Sequence, residues 1–135
     1  MSLIPDLRGD QPLTRFVLGV AAGTAAERPL IVLPFGVQIV SVTWIPSAAV
    51  TANGTNFATL SLRNRGAAGA GAAVPATRSY AATNSVAQVA ESMTLSGTAA
   101  DLLAAAGDVL TLGIAHSGSG LVIPAGLVQL AVRQR

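Results

Sequence analysis

The sequence predicts an all-β fold: an antiparallel β-sandwich, jelly-roll-like, of about seven or eight strands, with an extended N-terminal arm. Three observations indicate this fold. Apolar and polar residues alternate in short runs along most of the chain. Glycine, proline and asparagine interrupt these runs at short intervals. Helical spacing is confined to "GTAADLLAAAG" (97–107), which has room for a short helical turn at most. We therefore divide the 135 residues into an arm, 1–12, and a single β-sandwich domain, 13–135.

The first half of the chain supplies four of the predicted strands. Pro5, Gly9 and Pro12 exclude a regular element from the arm. "TRFVLGV" (14–20) alternates and places Phe16 on one face together with Leu18 and Val20. "AAGTAAER" is a loop, and "PLIVLPFG" is a short strand that ends at Pro34. "VQIVSVTWIP" (37–46) is the strongest strand pattern, and after a loop at 47–56 "FATLSLRNR" (57–65) follows.

The second half predicts the remaining strands. "GAAGAGAAVPA" (66–76) is a Gly/Ala loop, "TRSYAATNS" is extended, and "SVAQVAESMTLSG" holds a strand that ends in Met93 and Leu95. The last two strands are "DVLTLGIA" (108–115) and "GLVQLAV" (126–132). The residues expected to line the core from these two strands are Leu110, Leu112, Ile114, Val128, Leu130 and Val132. Their other faces carry small, uncharged residues, so we expect neighbouring subunits to cover part of them.

Composition argues against several function classes. Hydrophobic residues make up 51% of the chain, charged residues 10% and aromatic residues 4%, and there is no cysteine for disulfides or thiolate metal sites. The longest apolar runs are too short for a membrane-spanning helix, and the N-terminus lacks the pattern of a secretory signal. The net charge is only +2, and no aromatic residues interleave with the arginines. We therefore expect neither membrane nor nucleic acid as a partner.

No constellation of catalytic, metal-binding or cofactor-binding residues stands out. The single histidine, His116, starts a Ser/Gly loop and is expected to be a turn residue. The six acidic residues are scattered, and Asp108 is expected to order the turn before its strand. "GAAGAGAA" (66–73) lacks the Lys-Ser/Thr of a phosphate loop. We therefore predict a protein that is not an enzyme and that uses no cofactor. Trp44 is expected to anchor the core, with an exposed sugar-stacking residue as the alternative.

The order of four short motifs resembles small capsid decoration proteins, also called cement or head-fibre proteins, of tailed bacteriophages and phage-like particles. The motifs run from Val40 to Pro46, from Leu60 to Gly66, from Ala106 to Leu110 and from Pro124 to Val128. The resemblance covers roughly 70% of the chain. It implies a jelly roll, a homotrimer, and a place on the capsid surface of a virion assembled in the host cytoplasm. The family supplies no catalytic residues.

Two hypotheses follow. In the favoured one, the chain is a structural cement protein that binds the major capsid protein and copies of itself and stabilises the shell. Its capsid-contacting arm would use Ile4, Pro5, Leu7 and Arg8, and its subunit interface would use Val109, Thr111, Leu127 and Gln129. In the alternative, the chain is a receptor- or glycan-binding jelly-roll module of a phage fibre or tail. That alternative needs an exposed aromatic side chain, for which the candidates are Trp44, Tyr80 and Phe57.

Overall fold

The computed structural model describes residues 9–135, which form an all-β sandwich of two antiparallel sheets. The strands are β1 (Gln11–Val17), β2 (Ala26–Val32), β3 (Val37–Pro46), β4 (Phe57–Asn64), β5 (Ala73–Ser79), β6 (Glu91–Ser92), β7 (Thr94–Leu95), β8 (Leu103–Ala104), β9 (Val109–Ser117) and β10 (Gly126–Gln134). A 3-10 helix at Ala99–Leu102 occupies the stretch from which the sequence predicts a short helical turn, which confirms that prediction.

The strand order is that of a jelly roll. Sheet I has the order β1-β10-β3-β6, with β8 also paired to β3, and sheet II has the order β2-β9-β4-β5-β7. The short strands β6, β7 and β8 follow one another along the chain and behave as one interrupted strand that visits both sheets. With these three counted together, the described residues supply eight strands, the number of a jelly roll built from two Greek keys. The predicted fold class is therefore confirmed.

The core lies between the two sheets and follows the predicted alternation. All six core residues expected from β9 and β10 are at most 2% exposed. Trp44 and Tyr80 are the largest fully buried side chains, so the prediction that Trp44 anchors the core is confirmed. Since alternate residues of a strand point to opposite faces, these six also fix which residues of β9 and β10 point outward.

The face of β1 was predicted wrongly. Phe16 and Leu18 were expected to line one face together with Val20, but both are exposed, whereas Val17 is buried. The antiparallel register pairs Phe16 with Leu127 and Arg15 with Val128, and Val128 points inward. Strict alternation stops at Val17 because β1 ends there. Val17 and Val20 can therefore both point to the core although they are three residues apart.

Several boundaries differ from the predicted ones. Gln11 and Pro12 were placed in the arm but lie in β1, where Pro12 is tolerated because β1 is an edge strand. β2 begins at Ala26, inside the predicted loop, and β5 begins at Ala73, inside the predicted Gly/Ala loop. In both cases pairing with a neighbouring strand outweighs the weak strand preference of alanine.

Arginines close the open side of the sandwich between the edge strands β1 and β2. Arg15 Nε donates to the Leu30 carbonyl oxygen at 3.1 Å, and Arg28 Nη2 donates to the Gly19 carbonyl oxygen at 3.2 Å. Each arginine thus hydrogen-bonds across the gap: Arg15 of β1 to the backbone of β2, and Arg28 of β2 to the backbone just after β1. Charges that point inward at edge strands also discourage edge-to-edge aggregation. Among residues 9–135, no helix has the length and apolar character that crossing a membrane requires.

Candidate functional site

The outer surface of sheet I carries a row of apolar side chains. Phe16 of β1 lies directly opposite Leu127 of β10, which lies opposite Ile45 of β3. Directly opposed residues on one sheet face have Cβ atoms about 5 Å apart, so the three side chains form one strip. Phe16 is 63% exposed and Leu127 is 37% exposed. We call Phe16, Leu127 and Ile45 the apolar row.

The surface beside the apolar row has no charge across two further rows. The next row is Thr14, Gln129 and Thr43, with Ser92 of β6 opposite Thr43, and the row after it is Pro12, Ala131 and Ser41. At the rim, Arg133 Nη2 contacts Asp10 Oδ1 at 2.9 Å, and Arg15 of β1 donates from Nη1 to the Thr14 carbonyl oxygen at 2.7 Å. We call these three rows together the uncharged face. Its composition matches that of a protein contact surface better than that of a free surface.

The outer surface of sheet II is different because it carries three charged side chains. Arg65 Nε and Nη2 donate to the two carboxylate oxygens of Glu27 at 2.6 and 2.5 Å, and the Thr111 hydroxyl donates to Glu27 Oε2 at 2.8 Å. These hydrogen bonds, with that from Arg65 the largest influence, lower the pKa of Glu27 to about 2. We call the surface formed by Glu27, Arg63, Arg65, Thr111 and Gly113 the arginine face.

Arg63 lies flat on Gly113 in the arginine face. A side chain at position 113 would place its Cβ 2.7 Å from Arg63 Nε, so only glycine leaves room for the guanidinium there. Arg63 Nε is buried and has no hydrogen-bond partner. Both Glu27 oxygens are already occupied by Arg65 and Thr111, which leaves Arg63 near the carboxylate but not bonded to it.

A polar cleft opens beside β5 and β6, where the sheets diverge. It has a volume of about 400 Å³ and is lined by residues that include Arg78, Thr83 and Glu91. Arg78 Nη2 contacts Glu91 Oε2 at 3.0 Å and also donates to the Thr83 carbonyl oxygen at 3.0 Å. The guanidinium of Arg78 is therefore occupied by the protein itself.

A buried hydrogen-bond chain extends from this cleft into the core. Trp44 Nε1 donates to Tyr80 Oη at 3.0 Å, and Tyr80 Oη is 2.8 Å from Ser85 Oγ, which in turn donates to Glu91. The Arg78 guanidinium also lies 4.1 Å above the centre of the Tyr80 ring. Each polar group in this series of hydrogen bonds has a partner. The arrangement therefore holds the segment from 79 to 91 in place and presents no free reactive group.

The residues predicted for the subunit interface fall on opposite surfaces. Leu127 and Gln129 lie on the uncharged face, whereas Val109 and Thr111 lie on the outer surface of sheet II. Thr111 is 5% exposed because the protein's own Glu27 covers it. The predicted arm residues Ile4, Pro5, Leu7 and Arg8 lie outside the described residues. Capsid and subunit contacts stay predictions.

The other candidates have structural places. His116 lies in β9 with its Nε2 2.9 Å from the Thr24 carbonyl oxygen, so it joins two segments rather than standing free in a turn. Asp108 accepts from the backbone N–H of Ala105 at 2.9 Å and from Asn64 Nδ2 at 3.0 Å, which confirms its role in the turn before β9. Over residues 9–135, no group of three or more His, Cys, Asp or Glu side chains is placed to hold a metal ion.

Two residues of these surfaces were missed in the sequence. Phe16 was assigned to a stripe with Leu18 and Val20, although Leu13 and Val17 offer an equally regular stripe on the opposite face. The residues around Arg63 in the sequence give it no functional motif. No sequence signal could have shown that it lies over a glycine 50 residues away.

Comparisons with known proteins find a distant structural likeness that carries no argument about this chain. No protein-family model and no curated protein sequence matches this chain. A chain of the solved structure of infectious bursal disease virus, Gx strain, is similar with a TM-score of 0.37 and 11% identity over 99% of this chain. This chain spans only 36% of the length of that one. The jelly-roll assignment therefore depends on the strand order described above.

Proposed function

We propose that this protein is a structural capsid decoration (cement) protein, which associates with copies of itself and binds the outer surface of a viral or phage-like capsid. The observation that carries the proposal is the uncharged face with its apolar row. The resemblance in the sequence contributes the type of particle, and the jelly roll is a fold that viral capsid domains use.

The uncharged face fits a second copy of the same chain. In a twofold contact an unpaired charge on the face would be buried without a partner unless the copy offered an opposite charge, and the three rows of this face carry no charge. Phe16 projects from it as an aromatic anchor, the type of side chain that dominates binding energy at interfaces. The apolar row lies at the centre of the contact, and the Asp10–Arg133 pair lies at its rim.

Sedimentation velocity of the whole chain tests the contact. Phe16→Asp and Leu127→Asp each place a charge in the apolar row, and we expect them to shift the protein from oligomer to monomer. Val32→Asp is the matched control, because Val32 is 61% exposed but lies on β2 of the other sheet. All three positions are exposed, Leu127 the least at 37%, so we expect each variant to fold, and circular dichroism checks this. Wild-type protein that sediments as a monomer, or variants that stay oligomeric, would contradict the proposal.

Capsid attachment is tested separately with assembled shells. Wild-type protein is expected to co-sediment with the shells and to protect them against heat or dilution. A monomeric Phe16→Asp variant is expected to bind them less tightly, because an oligomer engages several symmetry-related sites at once. Equal binding by the variant would show that self-association contributes nothing to attachment.

The polar cleft favours a second candidate, recognition of a receptor or glycan. Its volume of about 400 Å³ suits a small ligand, and its lining includes hydroxyl groups from Ser79, Thr83, Ser92 and Thr94. Sugar stacking needs an exposed aromatic side chain, and two of the three candidates, Trp44 and Tyr80, are fully buried. A glycan that perturbs the NMR signals of Thr83 and Ser92 would support this candidate, and its absence from a broad panel would remove it.

A further inference from the structure

We propose that the arginine face is a second contact surface, in which Arg63 binds a carboxylate side chain of a different protein. Such a contact needs a guanidinium that is held in place, has free donors and faces outward. It also needs surroundings that favour negative charge. Arg63 is half-buried: its Nε is enclosed, whereas its Nη1 and Nη2 are neither enclosed nor hydrogen-bonded to residues 9–135, so these two groups are the donors open to a partner. The uncharged face takes no part.

The Arg63 side chain packs closely over Gly113 before any partner arrives. It lies flat on Gly113, where a Cβ would come within 2.7 Å of its Nε. Arg63 of β4 stands opposite Thr111 of β9 in the register, so its position across the sheet is fixed by two paired strands. A side chain that is ordered in advance loses less conformational entropy when it binds.

The protein's own acids do not satisfy this guanidinium. Its Nε is buried without a partner, and none of its nitrogens hydrogen-bonds to any residue between 9 and 135. Glu27, the acidic group beside it, has both oxygens occupied by Arg65 and Thr111. Buried unpartnered donors are uncommon in folded proteins. Arg28 Nε is a second example, but the Arg28 guanidinium also donates to the Gly19 carbonyl oxygen, whereas Arg63 has no such bond within residues 9–135.

The charge balance of the surface favours an acidic partner. Arg63 and Arg65 contribute two positive charges and Glu27 one negative charge, so the arginine face is positive by one unit. Planar guanidinium groups bind carboxylates through two parallel hydrogen bonds. One available guanidinium suits a single Asp or Glu side chain, whereas nucleic acid binding depends on several phosphate contacts.

NMR of Arg63 Nε–Hε during a titration with tetraglutamate peptide tests the inference. We expect a saturable shift at Arg63, with smaller shifts at the Thr111 and Gly113 amides, and none with tetraglutamine. Arg15 is the internal control, since its Nε already donates to Leu30. An equal shift at Arg15 and Arg63, or no shift at Arg63, would overturn the proposal. A single-stranded oligonucleotide that shifts Arg63 where tetraglutamate does not would overturn it as well.

Two variants separate binding from a purely structural role. Arg63→Gln is expected to abolish the amide shifts at Thr111 and Gly113 while the dispersion of the spectrum is unchanged. Glu27→Gln removes the competing negative charge, and we expect it to tighten peptide binding severalfold. Because Glu27→Gln also frees Arg65, the double variant Glu27→Gln/Arg63→Gln is the comparison: tightening that persists without Arg63 comes from Arg65 and would contradict the proposal. The same titration on the monomeric Phe16→Asp variant distinguishes the two surfaces, because binding at Arg63 should persist there.

Discussion

At the level of single residues, most of the described arginines form an ion pair or a hydrogen bond within the protein. Arg65, Arg78 and Arg133 each pair with an acid, and Arg15 and Arg28 donate to backbone carbonyls. The Arg63 side chain has no such partner among residues 9–135, and it motivates the inference above; the side chain of Arg135, near the end of β10, likewise has none within this range. Such pairings join residues far apart in sequence, as Arg65 and Glu27 do, so no local pattern could have predicted them. In contrast, the burial of Trp44 was predictable, because Trp44 lies two positions after Val42, on the same face of a strand in which Ser41 and Thr43 mark the opposite face.

The Glu27 pair makes stability depend on pH in a defined direction. The pKa of Glu27 is lowered from 4.5 to about 2 in the folded protein, mainly by hydrogen bonds from Arg65. Because the folded pKa is depressed, the ionised group stabilises the fold above pH 4.5, and this stabilisation is lost as pH falls towards 2. We expect the free energy of unfolding of wild type to exceed that of Glu27→Gln at pH 6. The difference should shrink progressively between pH 4.5 and 2. Urea unfolding at several pH values measures it, and a difference that is constant with pH would contradict the assignment.

At the level of strands, the sequence predicts the buried face best where the large apolar residues of a strand lie mainly on one of its two faces. In β9 and β10 large apolar residues occupy every second position, and the intervening residues are small or polar except Val109 and Leu127, so the core face could be assigned correctly. In β1 both phases offer apolar residues. Which face of β1 points to the core is determined by its register with β10, a strand more than 100 residues away along the chain. The split of one jelly-roll strand into β6, β7 and β8 likewise depends on which sheet each piece meets.

Gly126 illustrates a strand position that packing restricts to glycine. A Cβ at position 126 would lie 2.6 Å from Trp44 Cη2 and closer still to the Ile45 carbonyl oxygen. Neither the buried ring nor the paired backbone can move away easily. We therefore expect Gly126→Ala to destabilise the protein by about 1–3 kcal/mol, as overpacked sites do. Gly97→Ala, at a position with nothing within 4 Å, is the matched control and should be nearly neutral. Chemical denaturation compares the two, and equal stability would show that β10 shifts to make room.

At the level of the whole molecule, the two outer surfaces of the sandwich differ in chemistry. The uncharged face on sheet I suits an identical copy, whereas the arginine face on sheet II suits an acidic partner. The interface predicted from the sequence combined residues of both surfaces, since alternation shows that a residue points outward but not on which sheet. A subunit with different contacts on opposite sides can bind its own copies through one and a shell through the other.

The proposed capsid-contacting arm can be tested with a deletion that keeps the whole of β1. β1 begins at Gln11, and Asp10 pairs with Arg133, so deletion of residues 2–8 retains both features. We expect this deletion to leave the melting temperature and the oligomeric state unchanged and to weaken co-sedimentation with capsids. Deletion of residues 2–11 is the control, because it also removes Asp10 and the first residue of β1 and should lower the melting temperature. If the shorter deletion binds capsids as well as wild type, attachment must use the outer surfaces of the sandwich instead. In that case Arg63→Gln becomes the variant expected to lose attachment.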